Sequence, residues 1–156
     1  MLLYHLQCGV FWGIIIVMLK TFVSTSVLET EQIAEEFARG LTGGETVVLN
    51  GEMGAGKTHF TKGIAKGLDI ADVITSPTFT LHNIYYGRLT LNHFDFYRVE
   101  DFSEAEMLGL DEFFYDKRGV SVIEWSENIK PLIPANHIVV TIEKLSDSQR
   151  KITLNG

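Results

Sequence analysis

"GEMGAGKT", Gly51–Thr58, is the stretch on which the reading of this chain turns. It has the form G-x-x-x-x-G-K-[ST], in which glycines let successive backbone N–H groups face phosphate oxygens. Before it, Thr46-Val47-Val48-Leu49 is a short β-branched run and reads as a buried strand. After it, Phe60, Ile64 and Leu68 recur at helical spacing and Gly67 marks the end. Strand, glycine loop and helix, in that order, are the context a phosphate-binding P-loop requires. Gly51, Gly54 and Gly56 shape the wrap, and the helix adds its positive N-terminal end. Lys57 is placed to reach β- and γ-phosphates, and Thr58 to offer a hydroxyl to Mg2+.

Such a loop needs an acid for the metal and a group to orient the attacking water. Glu124 closes the apolar run "VSVIE", and Asp95 sits in "LNHFDFYR". A carboxylate after a buried parallel strand opens toward the crevice where ligands bind, so both are candidates, Glu124 ahead of Asp95 because its strand is the cleaner; the alternative for either is a simple surface acid. Trp125, next to Glu124, is either core or packed on a nucleotide. "SPTFT", Ser76–Thr80, offers three hydroxyls around the stiff Pro77. Ser76, Pro77 and Thr78 form either a switch-like segment that senses γ-phosphate or an ordinary turn. His59 and His93 read as structural or solvent-facing, and no spacing supports a zinc site. The guanine-specifying N-K-x-D run is absent, which favours ATP over GTP.

Further out, Ser26-Val27-Leu28-Glu29 has the form of a capping box, opening a helix that carries Ile33, Phe37 and Leu41 to Gly43-Gly44. Val73-Ile74 reads as a short strand, and Thr78 to Tyr85 and Leu89 to Tyr97 as two strands about a turn at Gly87-Arg88. Ser103-Glu104-Ala105-Glu106 suggests a second capping box, and Asp111 to Tyr115 a short helix. His137 to Lys144 and Arg150 to Leu154 read as a terminal hairpin. The expected fold is therefore α/β: a P-loop NTPase, its central sheet mainly parallel and flanked by helices, with a C-terminal antiparallel hairpin.

The 156 residues suit one domain, and an apolar share of 46% supplies a core. The net charge of −7 argues against a protein that grips nucleic acid by itself. Cys8 is the only cysteine, which fits a reducing compartment. The apolar start "MLLYHLQCGVFWGIIIV" lacks the basic region and cleavage site of a signal peptide. Its uncharged run from Cys8 to Leu19 is 12 residues long, against roughly 20 for a membrane span. Of two readings, a weak membrane anchor or a translation artefact, we expect the second: Met18 the natural start, residues 1–17 a non-native extension, 18–156 the P-loop domain, and no membrane association.

"GEMGAGKTHFTKG", "SPTFT", "HFDFYR", "LGLDE" and "VIEW", in this order and spacing, resemble the TsaE (YjeE) family. The likeness runs from about Met18 to Gly156; the preceding residues depart from it. It implies a cytoplasmic ATPase that serves threonylcarbamoyladenosine formation beside the tRNA anticodon, with TsaB and TsaD as partners. It implies contact with tRNA only through that complex. By the resemblance Gly51 and the Met53–Thr58 stretch, including Gly54, Ala55, Gly56 and Lys57, bind ATP, with Thr58 and Glu124 at Mg2+. Asp95 becomes a second essential acid near the γ-phosphate, and Trp125 lies close to the nucleotide. Thr30 helps to hold the nucleoside, and the terminal hairpin brings Gln149 and Arg150 near it. Lys57, Asp95 and Glu124 form the catalytic set. Two rival classes share the loop: a small-molecule kinase, for which Arg88, Arg98, Lys117 and Arg118 are scattered cations, and a nucleotide-dependent binding module with negligible hydrolysis.

Overall fold

The structure, a computed structural model, describes residues 19–156 and the backbone of residues 5–6. The expected extension over residues 1–17, and Met18 as a start, otherwise lie outside the described residues.

In chain order the strands are β1 (His5–Leu6), β2 (Lys20–Ser24), β3 (Thr46–Asn50), β4 (His82–Tyr86), β5 (Thr90–Asp95), β6 (Gly119–Glu124), β7 (Ile138–Lys144) and β8 (Arg150–Asn155). The helices are α1 (Val27–Arg39), α2 (Lys57–Gly67) and α3 (Phe102–Met107), with 3-10 turns at Leu110–Tyr115 and Glu127–Leu132. All eight strands form one sheet, ordered β1-β2-β8-β7-β3-β6-β5-β4. The four central strands, β7, β3, β6 and β5, run parallel. Antiparallel strands close both sides, β4 on β5 and β8 on β7, with β2 and β1 beyond β8. The fold class and the terminal hairpin are as the sequence led one to expect.

The period of two along each strand divides the core. Val47 and Leu49 of β3, Val120 and Val122 of β6, and Val140 and Ile142 of β7 pack with Phe60 and Ile64 of α2, Leu68 just after it, and Ala34 and Ala38 of α1. Val48, Phe94 and Ile123 face the other way, onto Ala105, Phe114 and Ile129. α1 and α2 approach closely because Gly63 and Gly67 lie against Ala34 and Ala38. A Cβ built on Gly63 would stand 2.2 Å from the Glu31 carbonyl oxygen and 2.5 Å from the Ala34 Cβ. Arg88, from the turn after β4, donates to the carbonyls of Gly67, Leu41 and Ala38 at 3.1, 2.9 and 2.6 Å. It thereby adds a side-chain donor to carbonyls at the C-terminal ends of both helices and just beyond α1.

Several local expectations are corrected. Val73-Ile74 is not a strand: Val73 is exposed and only Ile74 enters the core. The chain from Thr78 to Leu81 turns through Pro77 instead of extending, with Thr80 and Leu81 donating to the Pro77 carbonyl. Helix α1 stops at Arg39, capped by Gly40, before Gly43-Gly44. Ser26 caps it by accepting from the Glu29 N–H, but the Glu29 carboxylate reaches back to Thr25. The second capping box belongs to Asp101 and Glu104; Ser103 lies inside the helix. The sequence reading also missed β2 and the turn at Glu127–Leu132.

Candidate functional site

β3 delivers the chain straight into the glycine loop, and α2 begins at Lys57. Gly54 and Gly56 have φ of 77° and 114°, where a side chain is strained, and neither has a neighbour within 4 Å of a would-be Cβ. Gly51 is needed for another reason. A Cβ there would lie 2.8 Å from the Ile142 carbonyl oxygen and 3.0 Å from the Ala55 Cβ. Whereas α1 and α3 are capped by Ser26 and Asp101, no side chain caps α2. Its first N–H groups therefore face out of the loop with the helix's positive end, the arrangement that binds anions. Lys57 is buried and donates to the carbonyls of Gly51 at 2.6 Å and Glu52 at 3.1 Å.

The two acids stand beside this loop. In the parallel register Asp95 of β5 pairs with Glu124 of β6, and Glu124 with Leu49 of β3. Paired residues share a face, here the face of α2. Asp95 is 3% and Glu124 4% exposed, which sets aside the reading of either as a surface acid. Asp95 is held from two sides: Oδ1 accepts from the Tyr97 N–H at 2.9 Å, and Oδ2 from the Thr78 hydroxyl at 2.7 Å. Ser76 lies 3.5 Å from the same oxygen and 2.8 Å from the Thr78 hydroxyl. The Ser76-Pro77-Thr78 segment is thus fastened to Asp95, while Thr80 bonds locally to Asn83. Glu124 Oε1 meets His93 Nε2 at 2.8 Å.

Trp125 follows Glu124 in a left-handed conformation with φ of 56°, a strain on the order of 1–3 kcal/mol for a non-glycine residue. The half-buried indole lies against the loop, not in the core. The Lys57 ammonium sits 4.4 Å from its centroid, and Tyr97 packs edge-on at 5.0 Å. From the other side Arg150 donates through Nε to the Ala55 carbonyl at 2.7 Å, joining residues 95 apart in sequence. Arg150 also binds carbonyls of its own turn, Gln149 among them, and Gln149 itself is exposed. Thr30 is buried, its hydroxyl 2.8 Å from that of Ser24, and Ser24 pairs with Arg150 across β2 and β8. Exposed Met53 completes the loop. Tertiary structure therefore gathers the loop, both acids, Trp125 and the Ser76-Pro77-Thr78 segment. Arg150 and Ser24 tie Thr30 to the same end of the sheet.

A nucleoside triphosphate with Mg2+ suits this donor set. The uncapped helix start and Lys57 suit phosphate. The Thr58 hydroxyl, which makes no hydrogen bond among the described residues, and Glu124 suit the hard cation. His93 and Tyr97 are the site residues that sequence reasoning missed. The available signal was the strand period: His93 lies two residues before Asp95, on the same face.

A family model described as "Threonylcarbamoyl adenosine biosynthesis protein TsaE" matches residues 24–152. The chain belongs to the TsaE family. The matched span holds the loop, both acids, Trp125 and Arg150. The tRNA threonylcarbamoyladenosine biosynthesis protein TsaE of Bacillus subtilis is 44% identical over 129 residues, covering 82% of this chain and 80% of its own. The TsaE protein of Treponema pallidum is 42% identical over 132 residues, 85% of this chain and 97% of its own. The crystal structure of Bacillus subtilis YdiB superposes with a TM-score of 0.77 at 35% identity, covering 90% of this chain and 87% of that one. This TsaE member thus shares its fold with a solved relative over nearly its full described length. Among the described residues, no helix is long and apolar enough to cross a membrane.

Proposed function

We propose that this chain is an ATP-binding and ATP-hydrolysing subunit that serves threonylcarbamoyladenosine formation beside the tRNA anticodon, acting in the cytoplasm with TsaB and TsaD. One observation carries the proposal: an uncapped, glycine-shaped loop opens beside two buried carboxylates on adjacent strand ends. In this reading the backbone from Met53 to Thr58 holds the phosphates. Lys57 exchanges two neutral carbonyl partners for phosphate oxygens, so that donor and acceptor are both charged. Thr58 and Glu124 hold Mg2+, which when bound supplies charge neutralisation at the phosphates. Asp95 orients the attacking water and reports its position to Ser76 and Thr78 through their shared hydrogen bonds. Trp125 and Arg150 brace the loop from either side. The net charge of −7 suits a subunit that meets tRNA only through its partners.

The kinase reading is weakened because Arg88 is committed to the helix ends and Arg98 stacks 4.4 Å from the Phe79 ring. The test is ATP turnover by the purified chain, alone and with TsaB and TsaD. Slow turnover that rises on adding both is expected. Nucleotide binding without turnover in either case would establish the binding module, and phosphoryl transfer to an added alcohol the kinase.

A further inference from the structure

We infer that His93 is a positioning residue for Glu124: buried beneath the carboxylate, it donates Nε2–H to Oε1 and so leaves Oε2 turned to the loop. The inference rests on the reading that Glu124 serves the metal.

His93 is completely buried, and its Nε2 stands 2.8 Å from Glu124 Oε1. Its other ring nitrogen, Nδ1, is buried without a partner among the described residues. A histidine kept only for packing would ordinarily satisfy both nitrogens or be replaced by an apolar ring. Here one nitrogen is left unpaired while the other engages a site carboxylate. An ionised carboxylate only accepts, so the shared proton belongs to Nε2. The tautomer this selects leaves a lone pair at Nδ1, not an orphaned N–H. Oε1 is then occupied by the ring, and Oε2 accepts no hydrogen bond among the described residues. The carboxylate has one oxygen anchored in the sheet and one available at the surface of the site. Outer partners of this kind orient carboxylates toward metals, and losing one typically weakens metal affinity or activity about 10–100-fold.

The experiment compares wild type with His93→Leu, which fills the space without a donor, and His93→Gln, whose amide can present an N–H near the place of Nε2. Binding of a non-hydrolysable ATP analogue is followed by calorimetry across a Mg2+ titration, with a metal-free control and a thermal midpoint for each protein. For His93→Leu the Mg2+ needed for half-maximal enhancement should rise about 10–100-fold, metal-free affinity staying unchanged, while His93→Gln stays near wild type. Wild-type Mg2+ dependence in His93→Leu overturns the inference and leaves His93 a packing residue. If the wild type fails to bind the analogue, or binds without regard to Mg2+, the proposed function fails first and takes this inference with it. Imidazole 15N spectra of the wild type give a readout that needs neither variant to fold. A proton on Nε2 is expected; a proton on Nδ1 overturns the donor role.

Discussion

Lys57 joins two parts of the site: the loop carbonyls through its ammonium, and the Trp125 ring through its charge. Lys57→Ala keeps the loop N–H groups and removes its positioned cation. A bond to a charged group contributes about 1.5–3 kcal/mol, so nucleotide affinity should fall roughly one to two orders of magnitude. Titration with Mg2+-ATP measures it, and wild-type affinity would refute the P-loop assignment. Asp95 and Glu124 are register partners with different neighbours, and this separates their roles. Glu124→Gln should weaken Mg2+-dependent binding together with turnover. Asp95 binds Thr78 and the Tyr97 N–H, so Asp95→Asn should spare affinity and lower the single-turnover rate, by about 10²-fold or more. The reverse pattern in binding and rate would exchange the two assignments.

At the level of elements, the α1–α2 contact sets helix propensity against packing. Alanine in place of a mid-helix glycine favours the helix by about 1 kcal/mol. Gly63→Ala, however, would drive a methyl to 2.2 Å from a backbone carbonyl that cannot move without shifting α1. Overpacking costs about 1–3 kcal/mol, so the substitution should destabilise on balance. The thermal midpoint should drop, by up to about 8 °C. A midpoint at or above wild type would mean that the helices are not in this close contact. Arg88 shows the same dependence of elements on one another. The C-terminal ends of α1 and α2, each closed by backbone hydrogen bonds of its own, are further tied together by one side chain from a distant turn.

Over the whole molecule, stability should decline with acid in two pH windows. Burial among Phe94 and Phe113 pushes the His82 imidazole below its ordinary 6.5, against the Asn92 hydrogen bond, which favours the charged form. Burial pushes the Glu31 carboxyl up, but hydrogen bonds from Lys66 and His59 outweigh it and leave it below 4.5. Both groups have depressed folded-state pKa values, so in each case the unfolded chain takes the proton first as pH falls. Stability from His82 is complete above 6.5 and declines below it, and stability from Glu31 declines only below 4.5. Urea unfolding as a function of pH should show the first decline beginning near 6.5. His82→Phe should lower stability at neutral pH, because Asn92 loses a partner, yet flatten that first decline. An undiminished slope in His82→Phe would assign the effect to another group.

What the sequence determined by itself is local. The phosphate loop is a run of eight adjacent residues whose glycines set the backbone directly. The buried strands announce themselves by β-branched runs, and Glu124 by its place at the end of one. The ordered set of short motifs carried the family. What tertiary structure decided is non-local. β2, "KTFVS", has no distinctive pattern and becomes a strand because β8 offers it an edge, while Val73-Ile74 finds no such partner. The register that sets Asp95 against Glu124, and the bonds that join residues 17 and 31 apart, Thr78 to Asp95 and His93 to Glu124, have no local signal. The burial of His93, the turn of Trp125 toward Lys57 and the use of Arg88 at two helix ends follow from the crossovers that bring the strands side by side. Propensity and periodicity act over a few residues. A hydrogen bond between distant side chains exists only once the sheet has ordered its strands.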